Sequence, residues 1–293
     1  MDHTTLFTQN RGYLFAVAYR MVGTVMDAED ILQEAFLRWQ RVDSAGIESA
    51  QAYLTTVVTR LCLDFLASAR VRREEYVGPW LPEPLLMDEG TDVTQTVELA
   101  ESVSMAFLVL LESLSPVERA VFLLREVFAY DYPAVARIVE KSEANCRQIA
   151  RRAKERVSAG RPRFPADRER GNRLLERFVS ACASGDLAGL ESVLAADITL
   201  WSDGGGKVNA ARLPIYGADK VARFLLGILA KAPADLAARP AWVNGAPGLV
   251  IYAGGVAQTV LVIDVGEARI QAIRVVVNPD KLGHIPRLHE TSD

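Results

Sequence analysis

Apolar residues recur at helical spacing through the first 73 positions. Leu14, Val17, Ala18, Met21 and Val22 form one stripe, and after Gly23 a second runs through Ala28, Ile31, Leu32, Ala35, Phe36 and Trp39, the i, i+3, i+4, i+7 pattern of a helix with one buried face. Asp27 is the expected N-cap of this second helix, with Glu29 and Asp30 in its first turn, where carboxylates favour the helix dipole. A third stripe, Leu54, Val57, Val58, Leu61, Phe65 and Leu66, predicts a helix from about 51 to 69. The period then fails. Gly78-Pro79-Trp80-Leu81-Pro82-Glu83-Pro84 cannot be a helix interior, since each proline lacks an N–H and restricts its neighbour. Residues 74–100 therefore read as a linker, although Trp80 and Leu81 suggest that it docks against something.

Helical spacing resumes near Val97 and continues to Leu114. Ser115-Pro116-Val117-Glu118 reads as a capping box with proline at the first helical position, and the helix it opens carries Val121, Leu124 and Phe128. Asp131-Tyr132-Pro133 opens a shorter helix with Val135, Ala136 and Val139. A turn at Glu140-Lys141 then leads to Ser142, the expected N-cap of a helix with Cys146, Ile149, Ala150, Ala153 and Val157 inward. Arg161-Pro162-Arg163-Phe164-Pro165 marks a second linker. Beyond it, helices are expected over about 167–183, 187–194 and 220–229, with strands at 198–202, 249–252, 256–265 and 270–277. That mixture predicts an α+β domain with a curved antiparallel sheet.

The 293 residues suit two or three domains, and 50% hydrophobic with 24% charged residues describes a folded chain. No apolar run approaches the roughly 20 residues that span a bilayer. The N-terminus lacks a secretory pattern, so a cytoplasmic location with no membrane partner is expected. Cys62, Cys146 and Cys182 show no CxxC spacing, and His3, His284 and His289 sit at the chain ends. Buried free thiols are expected, and neither a metal nor a cofactor. The net charge of -4 hides an uneven distribution. Residues 1–73 hold 8 basic and 8 acidic side chains, 74–100 hold 7 acidic and no basic ones, and 101–163 hold 11 basic against 8 acidic.

The last charge excess gathers on one helix. A short helix, a turn and a second helix over 131–157 form a helix-turn-helix pattern. Arg147, Arg151, Arg152 and Lys154 leave the apolar stripe, giving a face that phosphates and base edges can meet. Base readout falls to the start of such a helix, here Ser142, Glu143, Ala144, Arg147 and Gln148, while Arg151 and Lys154 suit the backbone. An amphipathic hairpin with a solvated basic face remains the alternative from these residues alone.

The run Asp27-Ala28-Glu29-Asp30-Ile31-Leu32-Gln33-Glu34-Ala35-Phe36-Leu37-Arg38-Trp39 closely resembles region 2.2 of extracytoplasmic-function (ECF) sigma factors. The resemblance implies binding to the β′ clamp of RNA polymerase through Asp27, Asp30, Gln33, Glu34 and Arg38. The loop 43–51 resembles the one that captures a flipped −10 base, and the helix 53–73 the one that opens the duplex. The implied −10 residues are Asp43, Ser44, Tyr53, Arg60, Arg70, Arg72 and Arg73, groups suited to stacking and phosphate contact. Arg60 stands where many of these factors have asparagine. The helix-turn-helix then corresponds to region 4, which reads the −35 element and meets the β flap.

Three further motifs resemble signatures of one subgroup, which carries a SnoaL-like domain after region 4. They are Trp80-Leu81-Pro82-Glu83-Pro84-Leu85, Asp203-Gly204-Gly205-Gly206-Lys207 and Asn278-Pro279-Asp280-Lys281-Leu282. The implied architecture is a region 2 helical bundle (1–73), an acidic linker (74–100), a region 4 helix-turn-helix (101–160) and a cone-shaped α+β SnoaL-like domain (164–293). The implied partners are core RNA polymerase and promoter DNA, both duplex and melted. SnoaL-like cyclases pair an aspartate with a histidine, and no histidine lies between His3 and His284. A regulatory domain is therefore expected rather than an enzyme, working through contacts of Trp80, Leu81, Asp203–Lys207 and Asn278–Lys281. A small ligand in its cavity, or turnover of one, remains the alternative.

Overall fold

The computed structural model describes residues 3–43, 46–74, 76–87, 103–160, 168–233 and 235–288, without the side chains of 69–74 and 160. The chain forms two compact bodies, one from 1–75 with 107–161 and the other from 76–106 with 162–293.

In the first body α1 (His3–Val22), α2 (Val25–Trp39) and α3 (Ala50–Glu74) form the N-terminal bundle. Leu14, Ile31, Leu32, Trp39, Leu54 and Val58 lie in its core, on the stripes that the sequence predicts. Helix α2 begins earlier than expected. Thr24 is its N-cap in extended backbone, and Asp27 is a first-turn residue that accepts a hydrogen bond from the Thr24 hydroxyl. Gly23, at φ +79, breaks the chain direction and lets the helix restart at once.

Helices α4 (Met105–Glu112), α5 (Pro116–Phe122), α6 (Tyr132–Val139) and α7 (Glu143–Gly160) follow. The expected start of α4 near Val97 lies outside the described residues. Ser115 and Glu118 close the capping box on each other's backbone N–H groups, and that backbone hydrogen bond holds the Glu118 carboxyl below its usual range. The α5 helix stops short of Phe128. Residues Leu123–Val127 form a π-helical turn, and Ala129 adopts φ +56, so the chain turns before α6. Asp131 caps α6 through the Ala134 N–H at 2.8 Å.

Two guanidiniums join the halves of this body, each at the carbonyl end of a helix from the other half. Arg119 of α5, 3% exposed, donates to the Met21 carbonyl in the last turn of α1 at 2.6 Å and to Glu112 at 2.7 Å. Arg60 of α3 donates to the Arg137 and Ile138 carbonyls of α6 at 3.1 and 3.3 Å, and pairs with Glu140 at 2.9 Å. Helix C-termini present unpaired carbonyls and partial negative charge, so a cation is favoured there. Between them, Tyr13 donates to the Tyr130 hydroxyl, which donates to Thr55. Burial, then the Tyr130 bond, pushes the Tyr13 hydroxyl well above its ordinary pKa.

The second body is α+β. Helices α8 (Arg168–Ser184), α9 (Leu187–Val193) and α10 (Ala218–Leu229) pack with a seven-stranded sheet. Its strands are β1 (Leu86–Met87), β2 (Leu194–Asp203), β3 (Ile215–Tyr216), β4 (Ala237–Val243), β5 (Ala246–Ala253), β6 (Val256–Val265) and β7 (Ile270–Val276), in spatial order β1-β4-β5-β6-β7-β2-β3. The sheet is mixed, not antiparallel as expected: β2 runs parallel to β7, with Leu200 opposite Ile273. The parallel pair is joined by a long crossover, since the chain passes through β3, α10 and β4–β6 between β2 and β7. Register shifts in β2, β5 and β6 mark the irregularities that bend a sheet around its helices, giving the cone-shaped SnoaL-like form.

Strands β1, β3 and β4 do not appear in the sequence pattern. Pro240 and the exposed Arg239 disguise β4, yet Asn244-Gly245 after it, at φ +52 and +71, makes the two-residue turn that Asn-Gly favours. Among the described residues no helix is long and apolar enough to cross a membrane.

Replacing Arg119 with alanine leaves the Glu112 carboxylate and the Met21 carbonyl facing each other without their cation. Removing one partner of a buried pair costs about 3–5 kcal/mol. The urea midpoint of the N-terminal body, followed by Trp39 fluorescence, is expected to fall accordingly for Arg119→Ala, and far less for the exposed Arg11→Ala.

Candidate nucleic-acid interface and linker dock

Helix α7 gives the expected nucleic-acid face a rigid base. Its inward residues Cys146, Ile149, Ala150, Ala153 and Val157 are buried, while Ser142, Ala144, Arg147, Gln148, Arg151 and Lys154 are exposed and Glu143 half-exposed. Ser142 caps the helix through the Asn145 N–H at 3.3 Å, and Glu140 takes the left-handed conformation that ends α6. The cations are held by weak partners. Arg147 pairs with Glu143 at 2.9 Å and lies over the Tyr132 ring at 5.0 Å. Arg151 faces Glu155 at 3.9 Å and Lys154 meets Glu126 at 2.6 Å. Such exposed pairs contribute at most about 1 kcal/mol, so phosphates can displace them.

On α2, Asp30, Gln33, Glu34 and Arg38 are exposed, with Met26 and Leu37 exposed among them. Glu34 pairs with Arg38 at 2.8 Å. Asp27 is half-buried and engaged by Thr24. This face mixes acids with two large apolar side chains, a combination suited to a protein partner.

The expected −10 residues are less gathered. Asp43 is exposed, and Tyr53 is half-buried with its ring 5.6 Å from that of Trp39. Arg60 caps α6, a partnership that its place on α3 gives no hint of. Ser44 lies outside the described residues, as do the side chains of Arg70, Arg72 and Arg73.

In the C-terminal body the three motifs meet on one carboxylate. Asp203, fully buried at the end of β2, accepts from the Tyr76 hydroxyl at 2.5 Å, the Leu81 N–H at 2.8 Å, the Gly205 N–H at 3.0 Å and the Lys281 ammonium at 2.7 Å. Lys281 also donates to the Leu81 carbonyl at 2.5 Å and lies 4.4 Å from the centre of the Trp80 ring. The Asn278 amide donates to Tyr76 at 3.0 Å. Burial, then the bond to Asp203, raises the Tyr76 hydroxyl above its ordinary pKa, so it stays a donor.

The triple glycine serves this closeness. Gly205 and Gly206 take φ +58 and +72, and a Cβ on Gly205 would stand 2.3 Å from the Asn278 amide nitrogen. Only glycine lets the loop pass there. Lys207 pairs with Asp280 on the surface at 2.5 Å, and Pro279 starts the 3-10 turn that presents Lys281.

Other groups on this dock escape the sequence pattern. Asn244 exchanges backbone and side-chain hydrogen bonds with Leu85 and donates to the Val103 carbonyl at 2.8 Å. His284 meets the Pro84 carbonyl at 2.6 Å and Glu83 at 2.7 Å. Its only local sequence signal is that it lies two residues past the Asn278–Leu282 motif.

The comparisons agree with this layout. Residues 6–72 match the model for sigma-70 region 2, and residues 104–157 that for sigma-70 region 4. The ECF RNA polymerase sigma factor SigJ of Mycobacterium tuberculosis strain H37Rv is 40% identical over 96% of this chain and 93% of its own length. The probable ECF RNA polymerase sigma factor SigI of the same species is 32% identical over 93% of this chain and 92% of its own. The crystal structure of M. tuberculosis SigJ matches with a TM-score of 0.76 and 38% identity, covering 95% of this chain and 97% of that one. The chain thus belongs to the ECF RNA polymerase sigma factors, in the form that continues past region 4 into a SnoaL-like domain.

Proposed function

We propose that this sigma factor works in the cytoplasm, without catalysing a reaction, and brings core RNA polymerase to its promoters through three surfaces. The observation that carries the reading is the exposed Arg147–Lys154 face of α7, backed by a fully buried apolar stripe. Its first turns meet base edges of the −35 element and its later cations grip phosphates. The α2 face engages the β′ clamp, and region 4 meets the β flap. Tyr53, Asp43 and the arginines of α3 take the −10 element, with Arg60 exchanging the α6 carbonyls for DNA phosphate when the halves of the N-terminal body part.

The C-terminal domain regulates this activity by holding the linker. Two regions that read elements on one duplex must keep a set separation, and a linker seated at Asp203 samples fewer separations than a free one. Among the described residues, the lining of the cavity in this domain holds no carboxylate and no imidazole, which supports a regulatory reading over turnover.

Arg147→Ala is expected to cost about 1–3 kcal/mol on a matched −35 element and less on a mismatched one, whereas Lys154→Ala weakens both alike and flattens the salt dependence. Equal losses on every sequence, in binding titrations with polymerase holoenzyme, exclude base readout by Arg147.

Charge reversal of Asp30 and Glu34 together is expected to weaken the affinity for core polymerase at least tenfold without loss of helicity, since both lie off the buried stripe. Undiminished affinity takes α2 out of the interface.

Freeing the linker is expected to lower promoter output. Trp80→Ala and Asp203→Asn remove contacts from opposite sides of the dock, and run-off transcription with each should fall below the intact protein. Output equal to that of the intact protein in both variants removes the dock from regulation.

A further inference from the structure

The C-terminal body holds a half-open cavity of about 740 Å³ between α8, α10 and the sheet, within the range of sites that hold a whole small molecule. Its depth is apolar: Phe178, Leu249 and Leu261 are buried there, and Phe224, Ile251 and Val275 continue the wall. Among the described residues the lining includes no carboxylate and no imidazole. Lys231, Asn209 and Gln258 join the lining at exposed positions, Thr259 at a half-buried one and Ser202 at a buried one. Beside them Ile228 and Leu229 leave 51% and 40% of their surface in solvent, which makes an apolar lip.

One wall of the cavity is also the back of the dock. Ser202 lines the cavity and precedes Asp203, while Val277 lines it and precedes Asn278. The Val277 and Asn278 N–H groups both donate to the Asp203 carbonyl at 2.9 Å. The glycine loop folds back so that Gly204 packs against Ala210, itself a lining residue. A molecule that fills the cavity therefore presses on the segments that hold Tyr76, Trp80 and Leu81.

We propose that this cavity binds an apolar amphiphile, its hydrocarbon part in the Phe178–Leu261 interior and an anionic head at Lys231, and that its occupancy is coupled to the hold on the linker. The coupling rests on the regulatory reading above; the binding does not. By linkage, a ligand that favours the seated dock must bind more weakly when the dock is broken.

The experiment uses the full-length protein and two fluorescent apolar probes. One is the neutral N-phenyl-1-naphthylamine and the other is cis-parinaric acid, which adds a carboxylate. Both are expected to bind saturably, the acid more tightly, and Lys231→Gln should remove the difference between them. Cys182 lines the cavity, whereas Cys62 and Cys146 are fully buried, so bound probe should slow its modification by a small neutral thiol reagent. Burial raises its thiol to a pKa of about 11, and the rate is therefore compared at one alkaline pH. Ala210→Trp, which fills the cavity, should weaken both probes at least about tenfold while the circular dichroism spectrum stays unchanged. Cys182 protection gives the same information without a substitution. In Asp203→Asn the affinity for parinaric acid should fall several-fold. No saturable binding, or binding that neither protects Cys182 nor responds to Ala210→Trp, overturns the site. Equal affinity in Asp203→Asn and the intact protein overturns the coupling. Transcription enters none of these measurements, so a site that fails here leaves the regulatory reading to its own test with Trp80→Ala.

Discussion

The C-terminal half of this protein is organised by one buried carboxylate. Asp203 has lost its water and must find its hydrogen bonds within the protein. It finds four, from a tyrosine, two backbone N–H groups and a lysine. Those donors come from the linker, the glycine loop and the tail beyond β7, so three segments far apart in sequence must converge for the charge to be satisfied. The converse also holds. Lys281 is 6% exposed, and an ammonium so placed requires an acceptor such as Asp203. A buried pair of this kind adds little net stability compared with an apolar replacement, but both charges are satisfied only where these segments converge. It therefore fixes where residues 76–87 lie in the C-terminal body, and with them β1 on the sheet edge.

The same economy of interactions appears in the N-terminal body, with the sign of the charge reversed. Arg119 and Arg60 each close a helix C-terminus contributed by the other half. Their environments differ in a way that matters for function. Arg119 is buried and shares its charge with Glu112, so its loss opens the core. Arg60 keeps 46% of its side chain exposed beside an exposed Glu140, so water screens that pair and its partners can be exchanged. One cap is buried and structural; the other lies at the surface, where its partners can be exchanged.

The exposed faces of α7 and α2 share a design in which a rigid apolar stripe supports side chains with weakly held partners. Arg147, Lys154 and Arg38 sit in exposed ion pairs that cost little to break, while the helices beneath them are anchored by Cys146, Ile149, Trp39 and Leu32. The C-terminal domain repeats this on Arg173 and Arg223, and adds a cavity lined by the buried Phe178, Leu249 and Leu261.

Much of this was written locally in the chain. The helical stripes, the Ser115–Glu118 box, the Asp131 cap and the helix-turn-helix depend on neighbours within about four residues, and such short-range signals can be read directly. The exposed basic and acidic faces followed from the same periodicity. The remaining features needed the tertiary structure, because their partners are distant. The parallel pairing of β2 with β7 is a matter of crossover, and strands β1 and β3, of two residues each, are too short to show a period. Arg60 looks like a free cation until α6 is brought beside it. The motifs around Trp80, Asp203 and Asn278 stood out in the sequence, but that they surround one carboxylate, together with Tyr76, is decided only by folding. A buried charge takes its donors from wherever the chain returns, and no local pattern records that return.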